Sequence, residues 1–315
     1  MFDPQEFVAE KLAELKEAIK GKAIIACSGG VDSTVAAVLV SRAIGDRLLT
    51  VYVDTGLMRK GETDMVTGML SRLKVNFKVV HASGEFFTAL RDVIDPEKKR
   101  KVIGEKFIRV FEREAKEYMA EYLVQGTIAP DWIESGDGVR DTIKSHHNVG
   151  GLPQDIALKL VEPLRDLYKD EVRKLARHLG VEVSERQPFP GPALAIRIIG
   201  DVTPERADIV RNACAIVEEE LERAAQAGRM ELPWQYFAVL LPVQSVGVQG
   251  DIRAYGMTIA VRAVQSIDGM SAAYSRIPHD VLETISVRIT NEMKEKVNRV
   301  VYDITNKPPA TIEWE

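Results

Sequence analysis

A glycine-containing segment near the N-terminus has the composition of an anion-binding loop. Residues 28–33, with the sequence SGGVDS, follow a short apolar run and precede a stretch with helical periodicity. Glycine lets the backbone turn tightly and approach an anion closely, and the N–H groups at a helix start favour negative charge. Ser28 and Ser33 add hydroxyl donors. Asp32 would repel a bare phosphate, but a carboxylate beside phosphate oxygens suits Mg²⁺, so the segment predicts a magnesium-bound polyphosphate.

Two common phosphate-binding motifs do not describe this segment. The sequence contains neither G-x-x-x-x-G-K-S/T, with its phosphate-binding lysine, nor G-x-G-x-x-G. An alternative interpretation of residues 28–33 is a serine-capped helix start after a glycine turn, with no ligand. The complete pattern, placed between a strand and a helix, favours the phosphate site over that alternative.

A second polar segment has the composition of a lid. Residues 144–153, KSHHNVGGLP, contain adjacent glycines and have no apolar face that could pack in a core. A lid that closed over a bound polyphosphate would exclude water, and Lys144 could neutralise phosphate charge there. The alternative is an ordinary solvated loop. The adjacent histidines lack the i, i+4 spacing of a helical metal site.

Cations at the C-terminus could bind a monophosphate. Arg299 and Lys307 stand out in an acidic chain, and two prolines fix a turn between Lys307 and the Ile312–Glu313 pair. The alternative is ordinary surface charge. That alternative applies most strongly to Arg100, which lies within the basic run 98–101, because charge runs are usually solvated faces.

Strands and helices must alternate to position these residues. Apolar runs predict strands at 23–27, 48–53, 76–81, 122–125 and 160–163, and periodicity predicts helices at 7–19, 31–43, 63–73, 96–120 and 169–179. This alternation predicts an α/β fold: a doubly wound parallel sheet with helices on both faces. Ligands bind beyond the carboxyl ends of such strands, where residues 28–33 and the segment after Val53 would lie.

A proline-rich segment divides the chain. Residues 187–192, QPFPGP, cannot continue a helix or an interior strand. We therefore predict a nucleotide-binding domain at 1–188 and a smaller α+β domain at 189–315. In the second domain the pattern predicts strands at 194–199, 236–241, 257–264 and 299–304, with helices at 204–227 and 281–296.

Composition narrows the class of protein. The chain has 315 residues, 42 basic and 47 acidic side chains and a formal charge of −5, which argues against non-specific nucleic-acid binding. Two distant cysteines indicate no disulfide framework, and neither a signal peptide nor an apolar run of about 18 residues is evident. We expect a cytoplasmic protein without a membrane or nucleic-acid partner.

Residues 28–33 resemble the pyrophosphate loop of the N-type ATP pyrophosphatases, which cleave ATP between the α and β phosphates. Four further segments are similar to the ATP-pyrophosphatase part of the GMP synthetase family: 123–127 (LVQGT), 144–153, 241–251 (LPVQSVGVQGD) and 298–315 (NRVVYDITNKPPATIEWE). The resemblance runs from about residue 5 to residue 315. One departure is Ala193, where the family commonly has glycine.

The resemblance implies a ligase that uses ATP and Mg²⁺ to adenylate XMP at O2, releases pyrophosphate, and aminates the intermediate with ammonia to give GMP and AMP. It implies catalytic roles for Asp32, as the magnesium ligand, and Lys144. The implied ATP and pyrophosphate site comprises Ser28, Gly29, Gly30, Val31, Asp32, Ser33, Thr34, Val53, Gln125 and Gly126. The implied XMP site comprises Arg100, Gln235, Asp251, Arg299, Lys307, Ile312 and Glu313.

The implied amination needs a source of ammonia, and this need predicts a partner subunit. A fused glutaminase would need an extra domain and a Gly-x-Cys-x-Gly elbow, and neither Cys27 nor Cys214 has the flanking glycines. We expect a separate glutaminase subunit and, from the resemblance, a homodimer through the C-terminal domain. The alternatives are another N-type ATP-pyrophosphatase ligase, for example one acting on tRNA, and a non-catalytic nucleotide sensor. The first would usually carry a basic surface or a sulfur-transfer cysteine, and the second needs neither a lid nor a terminal anion pocket.

Overall fold

The computed structural model describes residues 2–131, 158–182, 187–249 and 252–315. The chain packs as two compact units, and each is built from more than one stretch of sequence. The first unit comprises Met1–Asp54, Glu62–Ala82 and Gly104–Glu185, and the second comprises Thr55–Gly61, Ser83–Ile103 and Arg186–Glu315. Two short pieces of the N-terminal half thus belong to the second unit. The domain assignment 1–188 and 189–315 stays a prediction.

The first unit contains the expected parallel sheet. Its strands are β1 (Ala23–Ala26), β2 (Leu48–Asp54), β3 (Phe77–His81), β4 (Tyr122–Val124) and β5 (Lys159–Val161). They pair in the order β3-β2-β1-β4-β5, and every pair is parallel. This confirms the predicted α/β fold. The buried runs of β1 and β2 explain why the sequence indicated them clearly.

Helices alternate with these strands along the chain and continue through the second unit. In chain order the α-helices with described bounds are α1 (Pro4–Ala18), α2 (Val31–Ile44), α3 (Glu62–Arg72), α4 (Ser83–Ala89), α5 (Pro96–Tyr118), α6 (Lys169–Leu179), α7 (Pro204–Gln226) and α8 (His279–Glu292). One apolar core joins α1, α2 and α6 to Ile25 and Val124 of the sheet. A second core packs Tyr52 against Val66 and Leu70 of α3.

Local signals set the helix ends of the first unit. Asp3 caps α1, because its side chain accepts a hydrogen bond from the backbone N–H of Gln5 at 2.8 Å, and Pro4 takes the first helical position. Gly180 ends α6 in the left-handed region, with φ of 77°. No helix in the described part of the chain is long and apolar enough to cross a membrane.

The second unit contains a four-stranded mixed sheet. Its strands are β6 (Gln235–Gln249), β7 (Ile252–Gln265), β8 (Ala273–Tyr274) and β9 (Val297–Asp303). β7 pairs antiparallel with β6 and β8 and parallel with β9. Both α7 and α8 belong to this unit, and α7 packs on β6 and on α8. An antiparallel hairpin and long helices confirm the α+β class predicted for the C-terminal region.

One predicted strand is wrong. The apolar run 194–199 forms a 3-10 helix at Ala193–Arg197, and only Ile198 makes an isolated bridge, to Leu240. The carbonyl of Pro190 accepts a hydrogen bond from the N–H of Ala193 at 2.9 Å, so the proline-rich turn leads directly into helical geometry. A short run that is buried on all sides has no periodicity to separate strand from helix.

Other elements also differ from the sequence prediction. α4 and β8 were not predicted, because both are short. β6 is longer than the predicted strand 236–241 and continues to Gln249 past a register shift between Leu241 and Gln244. Most of the family-like segment 241–251 is therefore one arm of the β6–β7 hairpin.

Candidate active site

The candidate phosphate site is the connection between β1 and α2, and residues 28–33 are named the phosphate loop here. Gly29 has φ of 82°, a left-handed conformation that favours glycine, and Gly30 stands at the N-cap of α2. The hydroxyl of Ser28 accepts a hydrogen bond from the N–H of Gly30 at 3.3 Å, and the Ser33 hydroxyl donates to the Gly30 carbonyl at 3.1 Å. The loop turns tightly and leads into the positive end of α2.

A cavity of about 230 Å³ opens in front of the phosphate loop. It combines loop residues with the residues that follow β4, as expected for the carboxyl ends of adjacent parallel strands. The lining residues are Ala26, Ser28, Gly30, Asp32, Ser33, Leu123, Val124, Gln125, Gly126, Thr127 and Asp131. Six of the predicted ATP and pyrophosphate residues therefore share one cavity within the first unit: Ser28, Gly30, Asp32, Ser33, Gln125 and Gly126.

Gly126 allows two segments of this cavity to approach closely. A Cβ atom at residue 126 would lie 3.0 Å from the carbonyl carbon of Asp32 and 3.0 Å from the backbone nitrogen of Ser33. Both neighbours are backbone atoms at the first turn of α2, which cannot move aside as a flexible side chain can. The absence of a side chain at residue 126 thus sets how close β4 comes to the helix start.

Asp32 has an unusual environment. Its Oδ2 atom accepts a hydrogen bond from Lys169 Nζ at 2.6 Å, whereas Oδ1 is buried without a hydrogen-bond partner among the described residues. A buried carboxylate oxygen without a partner is costly and is usual where a ligand completes the site. One oxygen is thus balanced by a lysine, and the other remains able to accept a ligand.

Lys169 was not identified from the sequence. It is the first residue of α6, and it lies 137 positions from Asp32 in the chain. The sequence contains no clear local signal for this contact: a lysine in the first helical turn opposes the helix dipole, but Asp170 and Glu171 in the same turn already compensate it. The pairing with Asp32 became visible only in the structure.

The other predicted residues of this site either do not line the cavity or lie outside the described part of the chain. Thr34 is buried, and its hydroxyl donates to the Gly30 carbonyl at 2.8 Å, so it supports the loop from below. Val53 is buried in β2. Gly29, Val31, Thr34 and Val53 do not line the cavity. Lys144 and the predicted lid 144–153 lie outside the described residues. The roles of all these residues stay predictions.

In the second unit the structure brings together Gln235 and Glu313 from the predicted XMP site. Gln235 Nε2 donates a hydrogen bond to Glu313 Oε1 at 2.8 Å. The carboxylate of Glu313 also receives two hydrogen bonds from Arg197, from Nε at 3.1 Å and from Nη2 at 2.8 Å. The side chain of Glu313 is 16% exposed, while Arg197 is fully buried.

Two more buried cations hold the C-terminal tail, which is defined here as residues 304–315. Arg262 donates to the carbonyls of Thr305, Thr311 (3.1 Å) and Ile312 (3.4 Å). Lys99 forms an ion pair with the side chain of Glu315. Both cations are fully buried. Burial lowers the pKa of Lys99 and raises the pKa of Glu315, and their attraction opposes each shift.

The remaining predicted XMP residues have separate partners. Arg100 Nη2 donates to the backbone oxygen of Glu315 at 2.6 Å, and Arg299 Nε donates to the Ser245 hydroxyl at 3.1 Å. Lys307 Nζ donates to the Gly269 carbonyl at 2.8 Å. These three cations therefore share no hydrogen-bond partner in the described structure, and their place in an XMP site stays a prediction. Asp251 lies outside the described residues.

Arg197, Arg262 and Lys99 were missed by the sequence prediction. Arg197 and Arg262 each interrupt an apolar run, and such a charge inside a buried element requires a partner. That requirement was the available signal. The identity of the partner could not follow from it, because Arg197 and Glu313 are 116 residues apart.

Comparisons with known proteins agree with this architecture. The family model described as NAD synthase matches residues 4–127, and the model described as GMP synthase C terminal domain matches residues 222–314. The parallel sheet with its glycine-containing loop, together with the first match, is the arrangement of the N-type ATP pyrophosphatases.

Curated relatives identify the family. A GMP synthase (glutamine-hydrolyzing) subunit of Methanopyrus kandleri is 60% identical over 319 residues, with 100% of both chains covered. The corresponding GMP synthase subunit of Thermoplasma acidophilum is 58% identical over 302 residues, 96% of each chain. The chain belongs to this family of GMP synthase subunits. It also covers 62% of a longer GMP synthase (glutamine-hydrolyzing) of Thermotoga petrophila, at 56% identity.

Proposed function

We propose that this chain is the ATP-pyrophosphatase subunit of a GMP-forming ligase, which adenylates XMP with ATP and aminates the product with ammonia. The observation that carries the proposal is the phosphate loop, in which the residues at the start of α2 line the same cavity as Gln125 and Gly126 after β4. Family membership supports the choice of XMP over the substrates of other N-type ATP pyrophosphatases.

The loop provides a site for a departing diphosphate. The N–H groups and positive end of α2 would stabilise the charge that develops as the bond between the α-phosphorus and the bridging oxygen breaks. Lys169 does not line the cavity, but its ion pair with Asp32 places a positive charge next to a residue that does. Gly126 lets Gln125 and Thr127 line the cavity close to the helix start.

The chemistry of Asp32 fits a magnesium ion. Its Oδ1 atom lacks a hydrogen-bond partner in the described structure, and carboxylate oxygens are preferred magnesium ligands. No cluster of three or more potential metal-binding side chains occurs in the described ranges. When bound, such an ion would neutralise phosphate charge.

The reaction that we propose needs no protein nucleophile. The O2 atom of XMP attacks the α-phosphorus of ATP, and pyrophosphate leaves. Ammonia then adds at C2, and the C2–O2 bond breaks, so that AMP departs with the former O2 atom. The protein contributes orientation and charge compensation. For XMP we propose Arg100, Gln235, Asp251, Arg299, Lys307, Ile312 and Glu313, and Lys144 for the α-phosphate.

Ammonia would come from a separate glutaminase subunit. The longer relative from Thermotoga petrophila has additional length beyond the region that this chain covers, and its description includes glutamine hydrolysis. Cys27 and Cys214 are both buried, so neither is placed as an exposed nucleophile. The isolated chain should use ammonium salts and should not hydrolyse glutamine. Two free, buried thiols also fit the reducing cytoplasm, which we propose as its location.

We also propose a homodimer formed through the second unit. One face of the β6–β7 hairpin exposes a patch of apolar side chains: Val246, Val248 (75% exposed) and Tyr255 (61% exposed). Exposed apolar patches on a sheet are typical of subunit interfaces. Light scattering should give twice the mass of 35.0 kDa, and a strictly monomeric mass would exclude this part of the proposal.

An ammonium-dependent assay tests the proposed function. The chain is incubated with ATP, Mg²⁺, XMP and ammonium chloride, and nucleotides and pyrophosphate are quantified. Equal amounts of GMP, AMP and pyrophosphate are expected, with none when XMP is omitted. With ¹⁸O at O2 of XMP, the label should appear in the phosphate of AMP. AMP without GMP, or ADP and phosphate as products, would rule the proposal out.

A further inference from the structure

The carboxylate of Glu313 is held in one orientation by neighbouring side chains. Arg197 donates to both carboxylate oxygens, and Gln235 donates a further hydrogen bond to Oε1. The guanidinium carbon of Arg197 lies 4.1 Å from the ring centroid of Phe237 and 5.2 Å from that of Phe189. Because a guanidinium is planar and rigid, this contact fixes the plane of the carboxylate as well as its position.

The fixed carboxylate retains capacity for one more interaction. An ionised carboxylate offers about four lone-pair sites on its two oxygens. Protein donors take two sites on Oε1 and one on Oε2 of Glu313. A ligand donor could therefore bind at Oε2. A phosphate could not serve, because it carries the same charge, whereas an N–H of a purine or an O–H of a ribose could.

Arg197 is not needed merely to anchor the C-terminal tail. Arg262 already binds the carbonyls of Thr311 and Ile312 on one side of Glu313, and Lys99 pairs with Glu315 on the other. A buried ion pair is also poor evidence for a stabilising role, because apolar replacements of such pairs are often neutral or better. Because burying this ion pair costs free energy, its presence indicates a functional role for the orientation of the Glu313 carboxylate.

We propose that Arg197 is a positioning residue for XMP: it orients the Glu313 carboxylate so that this group accepts a hydrogen bond from the nucleoside part of the substrate. The inference rests on the proposed function, which includes Glu313 in the XMP site. Arg197 itself is buried behind Glu313 and acts through it. The carboxylate is thus preorganised before the nucleotide binds.

The test is a double-mutant cycle between Arg197→Lys and Glu313→Gln, with KM measured separately for XMP and ATP. Lysine keeps the charge but loses the planar two-bond contact. Arg197→Lys should raise the KM for XMP by about tenfold and leave the KM for ATP within about twofold. In the Glu313→Gln background the same change should add less than about twofold, because the carboxylate through which Arg197 acts is gone.

Two further variants complete the experiment. Arg288→Lys is the matched control, since Arg288 pairs with Glu219, Glu220 and Glu292 in the same unit and does not contact the tail. It should leave the KM for XMP unchanged. If Arg197→Lys does not fold, Phe237→Leu removes the ring next to the guanidinium while retaining both charges, and it should raise the KM for XMP about threefold.

The outcomes separate this inference from the proposed function. Failure of the wild-type chain to convert XMP overturns both. If the wild type is active, an unchanged KM for XMP in Arg197→Lys and Phe237→Leu overturns only the role of Arg197. Multiplicative effects of Arg197→Lys and Glu313→Gln, or an equal rise in the KM for ATP, also overturn it, because a purely structural contribution produces those results.

Discussion

The phosphate loop of the first unit and the C-terminal tail of the second are built on opposite principles. In the loop, backbone conformation creates the site: glycines and the start of α2 present N–H groups, and the key side-chain atom, Asp32 Oδ1, has no partner among the described residues. In the tail, buried cations bind the polar groups of the tail residues: Arg262 binds carbonyls, Arg197 binds Glu313, and Lys99 binds Glu315.

The difference suggests which region reorganises when ligands bind. A loop that retains unpaired donors and acceptors is prepared for a charged ligand that will arrive and leave. A tail whose charges are paired internally is prepared as a rigid surface that offers a ligand a few fixed positions, such as Oε2 of Glu313. We therefore expect substitutions in the loop to affect turnover more than stability, and substitutions of the tail anchors to affect stability more than the chemical step.

The largest effect is expected at Asp32. Asp32→Ala removes the proposed magnesium ligand and the partner of Lys169, so GMP formation should fall by about 10³-fold or more. The thermal midpoint should change little, because the side chain carries no core packing. Asp170→Ala is the matched control. Like Asp32, Asp170 lies in the first turn of a helix, in this case α6, and it pairs with a lysine, Lys174. It should retain activity, and equal activity in both variants would contradict the role of Asp32.

The next effect concerns the stability of the tail. Lys99→Met leaves the carboxylate of Glu315 buried without its cation, which should reduce the free energy of unfolding by about 2–4 kcal/mol in urea titrations. Adding Glu315→Gln should recover part of the loss, because both charges are then absent. A double variant no more stable than Lys99→Met would show that the unpaired carboxylate of Glu315 does not cause the loss of stability.

This stability effect should depend on pH. Burial raises the pKa of Glu315, and the loss of Lys99 would raise it further. A carboxyl group with a raised pKa in the folded state destabilises that state as pH rises above its unfolded pKa. The destabilisation of Lys99→Met should therefore shrink as pH falls from about 7 towards about 4.5. A loss that is independent of pH over this range would be inconsistent with the proposed electrostatic origin.

A moderate effect is expected at Gly126. Gly126→Ala places a methyl group about 3.0 Å from backbone atoms of Asp32 and Ser33, so the start of α2 must shift. The kcat/KM for ATP should fall by about tenfold or more. Gly104→Ala provides the control, since Gly104 is in α5 with no atom near the added methyl, and alanine there should stabilise by up to about 1 kcal/mol. Equal effects on activity would indicate that the close approach is unimportant.

The smallest effect concerns Ala193, the departure from the family pattern. Ala193 has φ of 55°, in the left-handed region that favours glycine, while Ala195 of the same 3-10 helix has negative φ. Ala193→Gly should be near neutral, because relieved strain offsets the lost methyl. Ala195→Gly should destabilise by about 1–2 kcal/mol. Thermal unfolding of both variants measures the difference, and equal losses would show that residue 193 is not strained.

Features made of neighbouring residues, such as the phosphate loop, could be predicted from the sequence. The phosphate loop is local, since its glycines, serines and aspartate are contiguous and lie between an apolar run and a helical pattern. The five strands of the first unit were likewise found, within a few residues at each end, because short runs rich in apolar residues and separated by turns give a clear signal. For these features, neighbouring residues contain most of the necessary information.

Long-range pairing could not be predicted. Lys169 and Asp32 are 137 residues apart, Arg197 and Glu313 are 116 apart, and Lys99 and Glu315 are 216 apart. A single sequence indicates that a buried charge needs a partner but not which one it finds. The 3-10 helix at Ala193–Arg197 was mistaken for a strand for a related reason, since burial on every side removes the periodicity that separates the two.

The most direct test of the central claim is a crystal structure of the chain with Mg²⁺ and a non-hydrolysable ATP analogue. We expect the β- and γ-phosphate oxygens to accept hydrogen bonds of about 3 Å from the phosphate loop at residues 28–33, with Asp32 at the ion. An ordered triphosphate bound elsewhere, with no phosphate at this loop, would contradict it.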